Sequence, residues 1–207
     1  MLKSKAKTAV KTRIQSENQD LILKAALDVF STYGFRGATI DQIAVKCGLS
    51  KPNLLYYFRR KDDIYAAVLE NTLTQWLAPL RNLDINNDPI SELKHYIEAK
   101  LDMSFANPAA SKLFANEILH GAPHVEKYLK GPLKELVEAK AAVIQHWITA
   151  EKIKPVDPIH FLFAIWAVTQ HYADFSVQVE TLIKPKKKPT AIKSAVVEIL
   201  LRGLKID

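Results

Sequence analysis

The sequence predicts an all-α protein of about nine helices, made of a small basic N-terminal unit and a larger neutral one. Three observations carry this reading. Apolar residues recur at spacings of three and four along most of the 207 residues, and no stretch keeps a period-two alternation. The charge is also split unevenly. Residues 1–62 hold 12 Lys/Arg against 5 Asp/Glu, whereas residues 63–207 hold 17 of each, so the whole net charge of +7 lies in the first third.

Residues 1–16 are polar, basic and without apolar periodicity, which predicts a disordered arm. From Asn18 the positions Leu21, Ile22, Ala25, Ala26, Val29 and Phe30 mark an amphipathic helix that Gly34 should close. Thr39 and Gln42 have capping-box spacing at the head of a short second helix, which ends at Cys47-Gly48. Ser50 can cap a third helix with Pro52 in its first turn. Further helices are expected over 62–83, 89–106, 109–119, 125–148, 158–175 and 189–204, with Pro and Gly marking most of the breaks. Three domains follow: the arm at 1–16, a three-helix unit at 17–61, and a helical body at 62–207.

With 48% hydrophobic residues, 6 Gly and 10 Pro, the chain is neither collagen-like nor disordered throughout. Its one cysteine, Cys47, excludes an intramolecular disulfide and fits a reducing compartment. The longest apolar run, 161–168, is far short of the roughly 20 residues that span a bilayer, and no apolar segment follows the N-terminal lysines. A cytoplasmic location is expected. There is no Gly-rich phosphate loop, no G-x-S-x-G and no H-E-x-x-H. His120 and His124 are four apart, but Gly121 and Pro123 deny them a regular helical face. No catalytic residue, cofactor or metal is therefore expected, and the protein reads as a binder rather than an enzyme.

The second and third helices, joined by a tight turn at Cys47-Gly48-Leu49, have helix-turn-helix form, with the third as recognition helix. Its outward positions carry Lys51, Pro52, Asn53, Tyr56 and Tyr57, residue types suited to phosphates, base edges or a thymine methyl. Arg36, the caps Thr39 and Ser50, and Lys61 with its neighbours Arg59 and Arg60 complete the expected DNA contacts. The 17–61 unit is thus expected to be a helix-turn-helix DNA-binding domain.

The 158–175 helix is apolar nearly all round, which implies burial on two sides. At 100° per residue Phe163, Trp166, Ala167, Gln170 and Asp174 share one face, assigned to the chain's own interior. Phe161, Ile165, Val168, Tyr172 and Phe175 share the opposite face. With Ile192, Val196, Ile199 and Leu200 of the last helix they are expected to form a homodimer interface, two helices from each subunit. A dimer suits two heads reading a two-fold DNA site.

Thr39-Ile40-Asp41-Gln42-Ile43-Ala44, Cys47-Gly48-Leu49-Ser50-Lys51 and Leu54-Leu55-Tyr56-Tyr57-Phe58 with Lys61 resemble the DNA-binding domain of TetR-family transcriptional repressors. Trp76-Leu77-Ala78-Pro79-Leu80, Gly121-Ala122-Pro123 and Trp166 through Phe175 resemble the body of a pyrimidine-responsive member of that family. The resemblance implies a homodimer on a palindromic double-stranded operator, with a ligand-binding and dimerisation body that releases DNA when a small molecule enters. Uracil or thymine is the effector implied. The pyrimidine-dione edge alternates acceptor, donor, acceptor, and the Gln170 amide can match two of these beside the Trp76 and Trp166 rings. Two alternatives stay open: a sensor of a different small molecule on the same fold, and a ligand-independent architectural DNA-binding dimer. The Lys184 to Lys188 run reads as a solvated loop.

Overall fold

The computed structural model describes residues 2–183 and 188–205, with side chains from Gln15 onward. The described residues are helical with no strand, and they divide into two compact units, 1–71 and 72–207. Of the Lys184–Lys188 run, residues 184–187 lie outside the description.

In the first unit, α1 (Leu2–Gly37) begins well ahead of Asn18, so the expected arm has helical backbone; no Pro or Gly interrupts residues 2–33. Gly34 breaks the helix where the sequence has it close, with non-helical φ +67° and ψ 171° that suit a residue without Cβ, and a short helical turn follows to Gly37. Thr39 then caps α2 (Ile40–Cys47) with a complete capping box, and Gly48 at φ +71° closes it. The Leu49 amide donates back to the Ala44 carbonyl at 3.0 Å, so the turn to α3 (Lys51–Tyr57) is hydrogen-bonded throughout. Ile22, Ala26, Phe30, Ile43 and Leu54 are buried together as the core that holds the three helices.

α4 (Lys61–Arg81) starts in the first unit and supplies Thr72 onward to the second. The body continues with α5 (Pro89–Ala106), α6 (Pro108–Leu119), α7 (Glu126–Tyr128), α8 (Lys134–Thr149), α9 (Pro158–Asp174), α10 (Ser176–Leu182) and α11 (Pro189–Leu201). A π-helical turn, Leu129–Leu133, joins α7 directly to α8 at the Gly131-Pro132 break, where Pro132 withholds a helix donor. α10 was not expected, since polar residues blur its short apolar pattern. α9 packs chiefly on α5 and α6. Trp147 of α8 is wholly buried and donates from Nε1 to the Ile85 carbonyl at 2.9 Å, tying α8 to the loop before α5.

The faces of α9 differ from expectation. The buried row is Phe161, Leu162, Ile165, Thr169 and Ala173, while Phe163, Ala164, Ala167, His171 and Phe175 face outward. Phe161 and Ile165 therefore belong to the chain's own core, not to an interface, and so does Val196 of α11. Phe163 and Ala167 take the outward place. Thr169 explains the error: it looks polar, but its hydroxyl satisfies itself on the Ile165 carbonyl at 2.8 Å and sits in the middle of the buried arc. Of the other expected interface residues Phe175 and Ile199 are exposed, and Val168, Tyr172, Ile192 and Leu200 are half-buried.

Candidate nucleic-acid interface and effector site

Within the first unit the caps fix the direction of α3. The Ser50 hydroxyl accepts from the Asn53 amide at 3.3 Å, and Pro52 occupies the first turn, where it has no N–H to lose. Leu54 is anchored inward with no exposure, so Lys51, Pro52, Asn53 and Tyr56 project outward on the opposite side of the helix. Tyr56 is 69% exposed, an unusual place for a large ring that serves only packing. Its ring meets the edge of Tyr57 at 5.3 Å, and its hydroxyl accepts from Gln15 Nε2 at 3.4 Å. Lys51 is exposed and pairs with Asp41 at 2.8 Å, a surface ion pair that a phosphate can compete for. Arg36 is exposed, one residue before the end of α1.

Three expected contacts have other occupations. Tyr57 is half-buried and its hydroxyl accepts from Asn18 Nδ2 at 2.9 Å, which makes it a brace between α3 and α1. Lys61, expected on a phosphate, donates to the Phe35 carbonyl at 2.7 Å and the Ala38 carbonyl at 2.9 Å, with its ammonium 4.6 Å from the Phe35 ring. It satisfies carbonyls at the end of α1, the place where a cation suits a helix terminus. Arg60 sits at the head of α4, its amide donating to Asp63 at 3.0 Å and its guanidinium at 3.2 Å to the same carboxylate, which raises the guanidinium pKa. Thr39 and Ser50 use their hydroxyls as caps.

In the body, α5 and α9 bring forward two parallel rows of side chains. Tyr96, Lys100 and Ser104 stand four apart on α5 and are all buried; Trp166, Gln170 and Asp174 stand four apart on α9. Trp166 Nε1 donates to the Tyr96 hydroxyl at 2.6 Å, and burial pushes the Tyr96 phenol above its ordinary range. Lys100 is only 5% exposed, with Nζ 4.9 Å from the Trp76 ring centre. Burial lowers its pKa to about 8, and the nearby Asp174 carboxylate opposes that shift. Asp174 accepts from the fully buried Ser111 hydroxyl at 2.5 Å. Trp76, buried, also meets Phe114 edge-on at 5.6 Å. Gln170 lies between Trp166 and Asp174, half-buried, and its amide makes no hydrogen bond among the described residues.

Trp76 and Trp166 are thus linked through α5, with Lys100 beneath one tryptophan and Tyr96 bonded to the other, and Gln170 follows Trp166 one turn along α9. Sequence reasoning missed Lys100, Ser111 and Asp174 as a group. Position 100 carried the signal, because it falls on the row of Leu93, Tyr96 and Ile97, where a cation is out of place. A separate cavity of about 300 Å³ opens at the far end of α5, lined by Phe105, Tyr172, Val179, Ile183 and Ile192 with Ser104, Ser176 and Glu180. None of the three expected ligand residues reaches it.

Comparison with known proteins places this architecture. Residues 22–68 match the model of bacterial regulatory proteins of the tetR family, and residues 69–207 match the YcdC-like protein C-terminal region. The chain is 47% identical over 175 residues to the HTH-type transcriptional regulator RutR of Escherichia coli strain K12, covering 84% of this chain and 82% of that protein. The chain belongs to the TetR family. As a TetR-family transcriptional regulator it shares its fold with a fatty acid metabolism regulator of Clostridium perfringens, with TM-score 0.69, 22% identity and coverage of 90% of this chain and 100% of that one. It shares it also with AibR, solved in complex with isovaleryl coenzyme A and operator DNA, with TM-score 0.65, 16% identity and coverage of 88% and 97%. These relatives are named as DNA-binding regulators, not enzymes. Among the described residues no helix is long and apolar enough to cross a membrane, and no group of three or more metal-ligating side chains occurs.

Proposed function

We propose that this TetR-family regulator binds a palindromic operator as a homodimer through α3 and is released by a small planar molecule, most simply uracil or thymine, held in the body. The observation that carries the reading is the outward face of α3. Lys51, Pro52, Asn53 and Tyr56 stand exposed on a helix whose direction two caps and a buried leucine fix, in the unit whose first 62 residues carry a net charge of +7. Pairing of copies is supported by the outward apolar residues of α9 and α11, with Phe163, Phe175 and Ile199 each at least half exposed.

The pyrimidine reading rests on the Trp76 and Trp166 rings and the Gln170 amide, which has no hydrogen bond among the described residues, the rings able to stack on a flat ring and the amide to bond its edge. Trp76 lies on α4, the helix that begins in the DNA-binding unit, and is proposed to couple ligand to head. The coupling is a two-state equilibrium in which ligand favours a conformation whose recognition helices no longer match half-sites one helical turn apart. A differential affinity of about 5- to 150-fold is enough for a switch. The apolar cavity beside Phe105 and Tyr172 favours a second reading, an apolar effector in place of a pyrimidine.

Thermal-shift titration separates the two. A ligand that binds only the native state, at 100 times its dissociation constant, adds about 2.7 kcal/mol. A rise confined to uracil and thymine supports the first reading. A rise with apolar aromatics and none with pyrimidines supports the second.

A further inference from the structure

α1 is longer than the core of its unit requires. Its buried positions Ile22, Ala25, Ala26, Val29 and Phe30 occupy only the later part of the helix, yet the backbone runs unbroken from Leu2 to Tyr33. Ahead of the core the same side passes the end of α3. Asn18 Nδ2 donates to the Tyr57 hydroxyl at 2.9 Å, and about one turn earlier Gln15 Nε2 donates to the exposed Tyr56 hydroxyl at 3.4 Å. Counted at 100° per residue, Lys7, Asn18 and Ala25 fall within about 20° of one line along the helix, with Lys3 and Lys11 about 40° to either side. Lys5 and Arg13 fall about 160° and 120° away from that line. Lys3, Lys7 and Lys11 thus stand four apart on a row that Gln15 continues, and the row reaches about 18 Å beyond Gln15. The first acidic residue of the chain is Glu17, so residues 1–16 supply no carboxylate side chain to these lysines.

We propose that the N-terminal part of α1 is a second DNA-contacting element, whose row of Lys3, Lys7 and Lys11 meets backbone phosphates beside the groove that α3 enters. The side of α1 that is alanine and valine against its own unit turns to lysine where it has passed the recognition helix, and a duplex seated on α3 brings negative charge to that place. Phosphate contacts position a protein without reading bases, so the row sets the seat and strengthens the attraction while α3 keeps the choice of sequence. Gln15 joins the two elements, because it ends the lysine row and bonds Tyr56 on the exposed face of α3. Lys5 and Arg13, off the row, take no part.

This inference rests on α3 being the helix that reads DNA, and salt-titrated fluorescence anisotropy of the full-length protein tests the two apart. The probe is a labelled duplex carrying the inverted repeat that the wild-type protein selects. Wild type is compared with the triple variant Lys3→Gln/Lys7→Gln/Lys11→Gln and with the off-row variant Lys5→Gln/Arg13→Gln. Glutamine is close to lysine and arginine in helix propensity, and all five positions lie ahead of the core, so both variants keep the fold. The triple variant should lower the slope of log affinity against log salt by about 2.7, so that wild type loses about 40-fold more affinity than it does between about 50 and 200 mM salt. The off-row variant should change the slope by less than about 0.5, and both should select the same repeat as wild type. An unchanged slope in the triple variant overturns the proposal. So does an equal loss per charge in the two variants, which would make the segment a basic tail with no DNA-facing row. In both cases α3 keeps its role as long as the repeat is still selected, whereas a wild-type protein that selects no repeat brings down both readings.

Discussion

The DNA-binding unit and the body use polar side chains in opposite ways. On α3 the side chains proposed to meet a ligand, Lys51, Asn53 and Tyr56, are exposed and make few contacts, while a separate set does the holding: Thr39 and Ser50 as caps, Lys61 as a clasp on α1, Tyr57 as a brace. In the body the two sets coincide. Tyr96, Lys100, Ser111 and Trp76 are buried, part of the core and part of the candidate site at once. Substitutions should therefore split cleanly between binding and stability in the first unit and affect both together in the second.

The largest test of that contrast is Trp166→Ala, which removes a large ring and strands the buried Tyr96 hydroxyl. It should cost about 3–5 kcal/mol of unfolding free energy and abolish effector binding with it. Denaturant melts and titration of one sample check both, and a destabilised variant that still binds effector would break the coincidence claimed for the body. Lys100→Met should raise stability at neutral pH, by at most roughly 3 kcal/mol, since it removes a buried charge. The pH dependence gives its sign. The Lys100 pKa is about 8 in the folded chain and about 10.5 when unfolded, so between these values the unfolded state holds more protons and wild-type stability gains as pH rises. The gap between variant and wild type should narrow from pH 7 to pH 9.5, and a gap independent of pH would show that burial of charge is not its cause.

Smaller effects sharpen the first unit. Lys61→Met should lose about 1–3 kcal/mol of stability through its two carbonyl bonds and its contact with Phe35, and should leave the salt dependence of DNA binding unchanged. A slope lowered by about 0.9 would return Lys61 to the phosphates. Tyr56→Ala should change stability by no more than about 0.5 kcal/mol and weaken operator binding by about 1–3 kcal/mol, read by thermal melts and fluorescence anisotropy.

The fold was largely legible because its punctuation is local. Capping residues, Gly48, and prolines at helix starts act within one turn, so the caps Thr39 and Ser50 and the helix starts at Pro89 and Pro158 could be placed where the structure has them. What failed depended on neighbours from elsewhere in the chain. An all-round apolar helix carries little directional signal, so the burial of Phe161 and Ile165 was decided by α5 and α6, and Thr169 hid in that arc. Lys61 looked like any surface cation until the carbonyls of Phe35 and Ala38, more than 20 residues earlier, met it. The α3 face was readable for the same reason that the helix was, since outward residues answer only to their own helix. Lys100 and Asp174 lie 74 positions apart in sequence, and only the packing of α5 on α9 makes them one feature.

The most direct test of the account is selection of duplexes from a random-sequence DNA pool by the full-length protein, run in parallel with and without uracil. The account predicts enrichment of an inverted repeat with half-sites about one helical turn apart, and loss of that enrichment in uracil. Enrichment of no sequence, or of an inverted repeat held equally well with uracil present, would contradict operator reading in the first case and pyrimidine release in the second.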